Sequence, residues 1–397
     1  MNRIILVSLG LILPLALPAV SPTPAPKKNS KSKVPAARAV PSKTAAHAST
    51  AVRGKTAAPR ATTYRTKRKV HSPWDTPTFA DSTWGDVVDG EDLTVRRAAV
   101  EALGPYNGTV VVADPNTGRV LAIVNQKLAL GGAYQPCSTI KLVAGLAGLS
   151  EGIVERDTRL RLSRRESINL TTALAKSNNP YFANIGEKLG FDKVNYYGRL
   201  FGLGEKAGLN IEGESPGIFP DEKPKAVPVG MMTSFGEAIS LTPMQLTAMV
   251  SAIANGGTLY YLQYPRNQEE AQSLVPRVKR QLEFQRQLPD MKPGMMGAVD
   301  FGTARRALYD ANEPIYGKTG TCTDSRTHLG WFGSYNEAGR NKLVVVVLLT
   351  GGRRVNGPVA AGIAGQVYKN LSAQQYFASA QGAYHSTHSS AAGDSTR

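Results

Sequence analysis

The feature that most constrains this chain is that its strand-like patterns sit at the two ends of its apolar part, with helical patterns between them. Near the front, "NGTVVVADPNTGRVLAIVNQ" places two β-branched, apolar runs around Asp114-Pro115-Asn116-Thr117-Gly118, a stretch of turn formers, and so predicts a hairpin. At the far end, "THLGWFGSY" and "KLVVVVLLTGG" read as two more strands, the second apolar enough to be buried on both faces. The clearest helix between them is "LTPMQLTAMVSAIANGG". There Thr242 can N-cap, Pro243 suits the first turn, Gln245 completes a capping box and Gly256-Gly257 end the helix, with Leu246, Met249, Val250 and Ile253 on one face. Strands first, helices in the middle and strands last predict an α+β fold. Its sheet is assembled from both ends of the domain across an all-α insertion, with a site at the junction.

The remaining sequence limits where such a domain works. Residues 1–20 carry one arginine and a 17-residue apolar run, Ile4 to Val20, interrupted by Pro14 and Pro18, and read as an export signal or signal anchor. Residues 21–72 read as a linker without apolar bulk; 13 lysines or arginines and no acid fall within 21–70. Those residues and Arg3 supply most of the formal charge of +17, since the rest of the chain holds 33 basic against 30 acidic residues. Outside the cytoplasm the counter-ions expected for such a run are cell-wall polymers or an anionic membrane surface, not nucleic acid. The folded domain is expected over 73–372, followed by a loose tail over 373–397. His328 is the one histidine of five well inside that domain, which disfavours both a metal site and a Ser-His-Asp triad, and no cofactor is expected. Two cysteines in an exported chain suggest a disulfide before a metal site.

The chemistry gathers in three short strings. "YGKTGTC" resembles a phosphate loop at first sight, but position 312 is Asn where that loop needs glycine. "YQPCSTIKLVAGLAGL" sets Ser138 and Lys141 one helical turn apart at the start of an apolar helix, so the amine can lie against the hydroxyl and act as base once burial or a second cation, such as Lys318, lowers its pKa. "KSNNPYF" places Ser177 and Asn179 at a turn between helices. Each string alone is ordinary: Ser-x-x-Lys is common, and Ser177 and Asn179 could be a plain helix cap.

In this order, Ser138-x-x-Lys141, Ser177-x-Asn179 and Lys318-Thr319-Gly320 form the three-part signature of serine acyl-transferases that penicillin acylates, and the chain resembles the penicillin-binding protein transpeptidase family over roughly residues 105 to 370. "LFGLGEKAGLNIEGESPGIFP" is similar to its glycine-rich middle segment, and "SFGEAISLTPMQLTAMVSAIANGG" to the helix of class B members. The resemblance implies a five-stranded antiparallel sheet, with Ser138 as nucleophile, Lys141 as base, Ser177 as proton relay and Asn179 orienting Lys141 and holding the substrate amide. Lys318, Thr319 and Thr321 would bind the terminal carboxylate of a D-Ala-D-Ala stem peptide of peptidoglycan, or of a β-lactam. Gly320 would leave room for substrate along the strand, and the N–H groups of Ser138 and Thr321 would form the oxyanion hole.

Two departures leave alternatives open. Only a short region separates the basic linker from the first strand, where class B members carry a long pedestal, so protein partners stay unassigned. Cys137 and Cys322 resemble the cysteine pair of carbapenem-hydrolysing β-lactamases, which share the ancestral fold; an oxyanion hole made by their neighbours Ser138 and Thr321 would bring them within disulfide reach. A β-lactamase needs a glutamate to activate water, and Glu212 and Glu214 stand at a suitable distance along the chain, although "EGESPG" matches the penicillin-binding pattern better. The readings are therefore a D,D-transpeptidase or carboxypeptidase, a serine β-lactamase, or a sensor that is acylated without turnover.

Overall fold

The structure, a computed structural model, describes residues 72–378 except 338, 340, 353 and 354. The export signal, nearly all of the basic linker and most of the expected tail lie outside the described residues.

Helix α1 (Leu93–Leu103) precedes strands β1 (Gly108–Ala113) and β2 (Val120–Val124), which pair antiparallel around the Asp114–Gly118 turn. A long excursion follows, made of α2 (Gln126–Gly131), α3 (Lys141–Ser150), α4 (Leu170–Ala175), α5 (Asn179–Leu200), α6 (Val229–Phe235), α7 (Pro243–Ala254), α8 (Gln268–Gln272) and α9 (Leu288–Asp300). It is not all-α as expected, because two ribbons interrupt it: β3 (Leu160–Arg161) with β4 (Ser167–Ile168), and β5 (Thr258–Tyr260) with β6 (Val278–Gln281). The chain then returns to the sheet through β7 (Ile315–Thr323), β8 (His328–Asn336) and β9 (Val344–Gly351) and closes with α10 (Gly357–Ala373).

The sheet is five-stranded and antiparallel, in the order β2-β1-β9-β8-β7, so the first hairpin pairs with the last strand and β7 is left at an edge. Strand periodicity divides its side chains between two cores. Val110, Val112, Val345, Val347 and Leu349 pack with α1 and α10, while Val111, Trp331, Val344, Val346 and Leu348 pack with the helices of the excursion. All of β9 is buried, as its uninterrupted apolar run predicts.

Helix α7 carries the expected capping box between Thr242 and Gln245, but every residue from Pro243 to Ala254 is buried. The single apolar face read from the sequence is thus one side of a helix enclosed all round, whose Thr247 hydroxyl is satisfied by the Pro243 carbonyl. Packing also continues past residue 372: α10 ends at Ala373, and Phe377 is buried against Tyr368. The apolar pair in "QQYFA" is what extends the domain beyond the expected boundary.

Candidate active site

The three motifs, far apart in sequence, meet between the start of α3, the α4–α5 turn and edge strand β7. Ser138 lies in a 3-10 turn, Cys137–Ile140, and Lys141 opens α3 directly after it, so the nucleophile candidate precedes the α-helix instead of capping it. Trp331 on β8 donates its indole N–H to the Gln135 carbonyl at 2.9 Å and holds the approach to this turn.

On the other side, α4 stops at Ala175 and α5 begins at Asn179. The residue that caps α5 is Asn178, whose side chain accepts from the Tyr181 N–H at 2.8 Å. Ser177 and Asn179 are thereby released from the capping duty that an ordinary turn would give them. Cys137 and Ser177 both hold left-handed backbone, with φ of 50° and 56°. That conformation costs a residue with a Cβ about 1–2 kcal/mol, and its occurrence twice beside one site fits strain held for function.

The Lys141 amine is the hub. Its Nζ lies 3.0 Å from Ser138 Oγ, 3.1 Å from Ser177 Oγ, 2.8 Å from the Ser177 carbonyl and 2.5 Å from Asn179 Oδ1. Lys318 Nζ reaches the same Ser177 hydroxyl at 2.8 Å and the Thr319 carbonyl at 2.9 Å. Both lysines are fully buried. Burial pulls Lys141 from 10.5 down to about 7. Lys318 is also held well below the ordinary lysine range, by burial first and by the nearby Lys141 second. Of the two causes expected to lower Lys141, burial is the one that acts first on both amines.

Gly320 has a reason within the protein itself. A Cβ there would lie 2.9 Å from the Pro136 carbonyl and 3.1 Å from Trp331 Cβ, so the protein's own nucleophile turn already crowds out a side chain. Glycine is what lets β7 approach Ser138 so closely. Cys137 and Cys322 stand at disulfide-bonding distance with Cα atoms 5.6 Å apart, joining the same two segments. Thr321 is exposed, and its hydroxyl accepts the Gly357 N–H at 2.8 Å from the start of α10, which leaves its own proton free to donate.

Two neighbours escaped the sequence reading. Phe182 presents its ring to Lys141 Nζ at 5.6 Å, and Thr303 Oγ1 lies 2.6 Å from Thr319 Oγ1. Phe182 follows Asn179 by three residues, one helical turn, so its closeness could have been read from the spacing; nothing in "FGTARR" signals Thr303. Glu214 and Glu212 do not join the cluster. Glu214 is buried with its carboxylate accepting from the N–H groups of Ala207 and Gly208 at 2.7 and 3.0 Å. Glu212 lines a separate groove of 770 Å³ with Leu209, Tyr264 and Val275.

A family model described as the penicillin binding protein transpeptidase domain matches residues 108–369. Stage V sporulation protein D of Bacillus subtilis is 31% identical over 283 residues, covering 63% of this chain and 44% of that protein. Peptidoglycan D,D-transpeptidase MrdA of Acinetobacter baumannii is 25% identical over 311 residues, covering 62% of this chain and 45% of its own length. The chain thus spans about half the length of the curated relatives it matches. Among solved structures, Pseudomonas aeruginosa PBP2, crystallised in complex with WCK 5153, shares the fold with a TM-score of 0.63 and 24% identity, over 75% of this chain and 78% of that one. With the family model spanning the whole five-stranded sheet and all three motifs inside it, the chain belongs to the penicillin-binding protein transpeptidase domain family.

Proposed function

We propose that the protein is a serine D,D-peptidase of the transpeptidase type, acting on D-Ala-D-Ala stem peptides of peptidoglycan and acylated by β-lactams. The observation that carries this reading is the Lys141 amine, pulled to about 7 and in contact with the Ser138, Ser177 and Asn179 side chains at once. A neutral amine at that point is a base near physiological pH, in the place where a serine proton must go.

In the proposed reaction, Lys141 takes the Ser138 proton as Oγ bonds to the carbonyl carbon of the penultimate D-alanine. The oxyanion is received by the backbone N–H groups of Ser138 and Thr321. Ser177, in reach of both lysines, passes the proton on to the leaving D-alanine nitrogen; the C–N bond breaks and an ester remains on Ser138. A second amine, or water, then takes the acyl group and returns Oγ to its hydroxyl form. The terminal carboxylate would lie against Lys318, Thr319 and Thr321, bringing a negative charge to this buried pair of amines and favouring the charged form of Lys318. The names of relatives such as the peptidoglycan D,D-transpeptidase of Acinetobacter baumannii support the same substrate class.

The two glutamates that the β-lactamase reading singles out are engaged elsewhere, Glu214 by two backbone N–H groups and Glu212 in another groove. We place the enzyme outside the cytoplasm, where Cys137 and Cys322 would be oxidised and the basic run 21–70 would meet wall polymers or anionic lipid.

Intact mass after incubation with a penicillin tests the proposal. The expected result is a persistent adduct that maps to Ser138, is absent from Ser138→Ala, and keeps its lifetime to within about twofold in Glu212→Gln and Glu214→Gln. The enzyme should also turn over a stem-peptide thioester. Rapid loss of the adduct would favour a β-lactamase, and an adduct without thioester turnover would favour a sensor.

A further inference from the structure

We infer that Thr303 is a positioning residue for carboxylate recognition, acting through the hydroxyl of Thr319. The inference rests on the acyl-enzyme reading above and concerns a residue outside all three motifs.

Thr303 belongs to a bracket that ties the turn bearing Ser177 to the strand bearing Lys318. Its backbone N–H donates to the Ala175 carbonyl at 3.1 Å, at the end of α4. Gly302 comes so close to that carbonyl that a Cβ would lie 2.2 Å from the oxygen, so the bracket cannot carry a side chain there. From this fixed backbone, the Thr303 hydroxyl points to Thr319 Oγ1 at 2.6 Å, with the Ala175 carbonyl as a second partner at 3.5 Å. Thr319 is 4% exposed, so its hydroxyl has little recourse to solvent.

Two hydroxyls in contact share one proton between them, and the direction of sharing decides what Thr319 can do. If Thr303 donates to Ala175, its oxygen accepts the Thr319 proton and Thr319 has none to offer a carboxylate. If Thr303 donates to Thr319, the Thr319 proton is free to point at the ligand. A carboxylate arriving beside Lys318 favours the second arrangement, because a charged acceptor makes the stronger hydrogen bond. The long 3.5 Å contact to Ala175 is the weaker of the two that Thr303 must choose between. By donating, Thr303 occupies the inward lone pair of Thr319 and anchors its side chain, so that the Thr319 proton is aimed at the ligand and donates more strongly; without the Thr303 hydroxyl that side chain loses its anchor and its buried lone pair is left unsatisfied.

The test compares acylation of the full chain by a penicillin free acid and by its methyl ester. Thr303→Val keeps the shape and removes the hydroxyl; it should slow acylation by the free acid about tenfold, the scale of one hydrogen bond to a charged group, and leave the ester's rate nearly unchanged. The loss should fall on the binding constant more than on the limiting rate, and Thr303→Ser should restore it. A valine variant that slows both compounds equally, or neither, overturns the inference, because a bracket that only held the backbone would not distinguish them. If the valine variant does not fold, Thr303→Ala is read in the same way. Absence of any adduct on the unmodified protein would overturn the acyl-enzyme reading and this inference with it; a wild-type adduct on Ser138 with no difference between the compounds would overturn this inference alone.

Discussion

Two buried clusters of charged side chains lie in this domain, and they are built on opposite principles. At the front of the fold, Arg96 bonds Asp86 at 2.7 Å, Glu91 at 3.4 Å and the Ile123 carbonyl at 2.5 Å. Asp86 also accepts from the Asn125 and Gln126 N–H groups, and Glu91 from the Tyr264 hydroxyl and the Ile123 N–H. One guanidinium serves two carboxylates there, and their remaining lone pairs are taken mostly by backbone N–H groups; the cluster clamps the segment before α1 onto β2. Burial still pushes Glu91 up, against the pull of Tyr264, the Ile123 N–H and Arg96. Lys141 and Lys318, in contrast, are buried side by side as amines that desolvation drives towards the neutral form, and no ion pair among the described residues involves either. Their partners are serine and asparagine side chains and two carbonyls. A paired cluster is best explained by architecture; an unpaired one costs stability and calls for a functional reason.

The sharpest way to break this contrast is Lys141→Met. Acylation of Ser138 should fall by about a thousandfold, the usual scale for a missing general base, while the melting temperature stays level or rises because a buried amine has been replaced by an apolar chain. A clear loss of stability, measured by thermal unfolding, would mean that Lys141 is structural after all. Arg96→Met should behave in the reverse sense. It leaves two buried carboxylates without their cation and should destabilise by about 3–5 kcal/mol in denaturant titration, with acylation of the folded protein changed by less than about twofold. The smallest effect is the pH dependence of acylation. In the proposed reaction the reactive form is the neutral amine, whose fraction grows as pH rises through about 7. The rate should therefore drop about tenfold per unit below that point and level off above it. An inflection near the ordinary lysine value would show that desolvation does not lower Lys141 in solution.

Legibility in the sequence followed the range of the interaction. The first hairpin, the capping box of α7 and the buried run of β9 all depend on residues a few positions apart, and each reads correctly from its own string. The spacing of Ser138 and Lys141 is equally local, since one helical turn brings the two side chains together whatever surrounds them. Where a third body intervenes, local reading falls short. Asn178 displaces Ser177 and Asn179 as the cap of α5; the Pro136 carbonyl fills the space beside Gly320; and the burial of α7 on every side depends on neighbours that its periodicity does not name.

By itself, the sequence determined the three motifs, the division of the sheet between the two ends of the domain and the pairing chemistry open to each side chain, because composition and short-range sterics already decide these. Only the tertiary structure decided which polar groups share a desolvated space. Lys141 and Lys318 lose their water when α3, the α4–α5 turn and β7 close around them, and the Lys141 pKa of about 7 exists only in that enclosure. Thr303 meets Thr319 for the same reason, its backbone having been fixed by Ala175, 128 positions away in the chain. Desolvation and distance between remote segments are properties of the packed chain, and no window of sequence contains them.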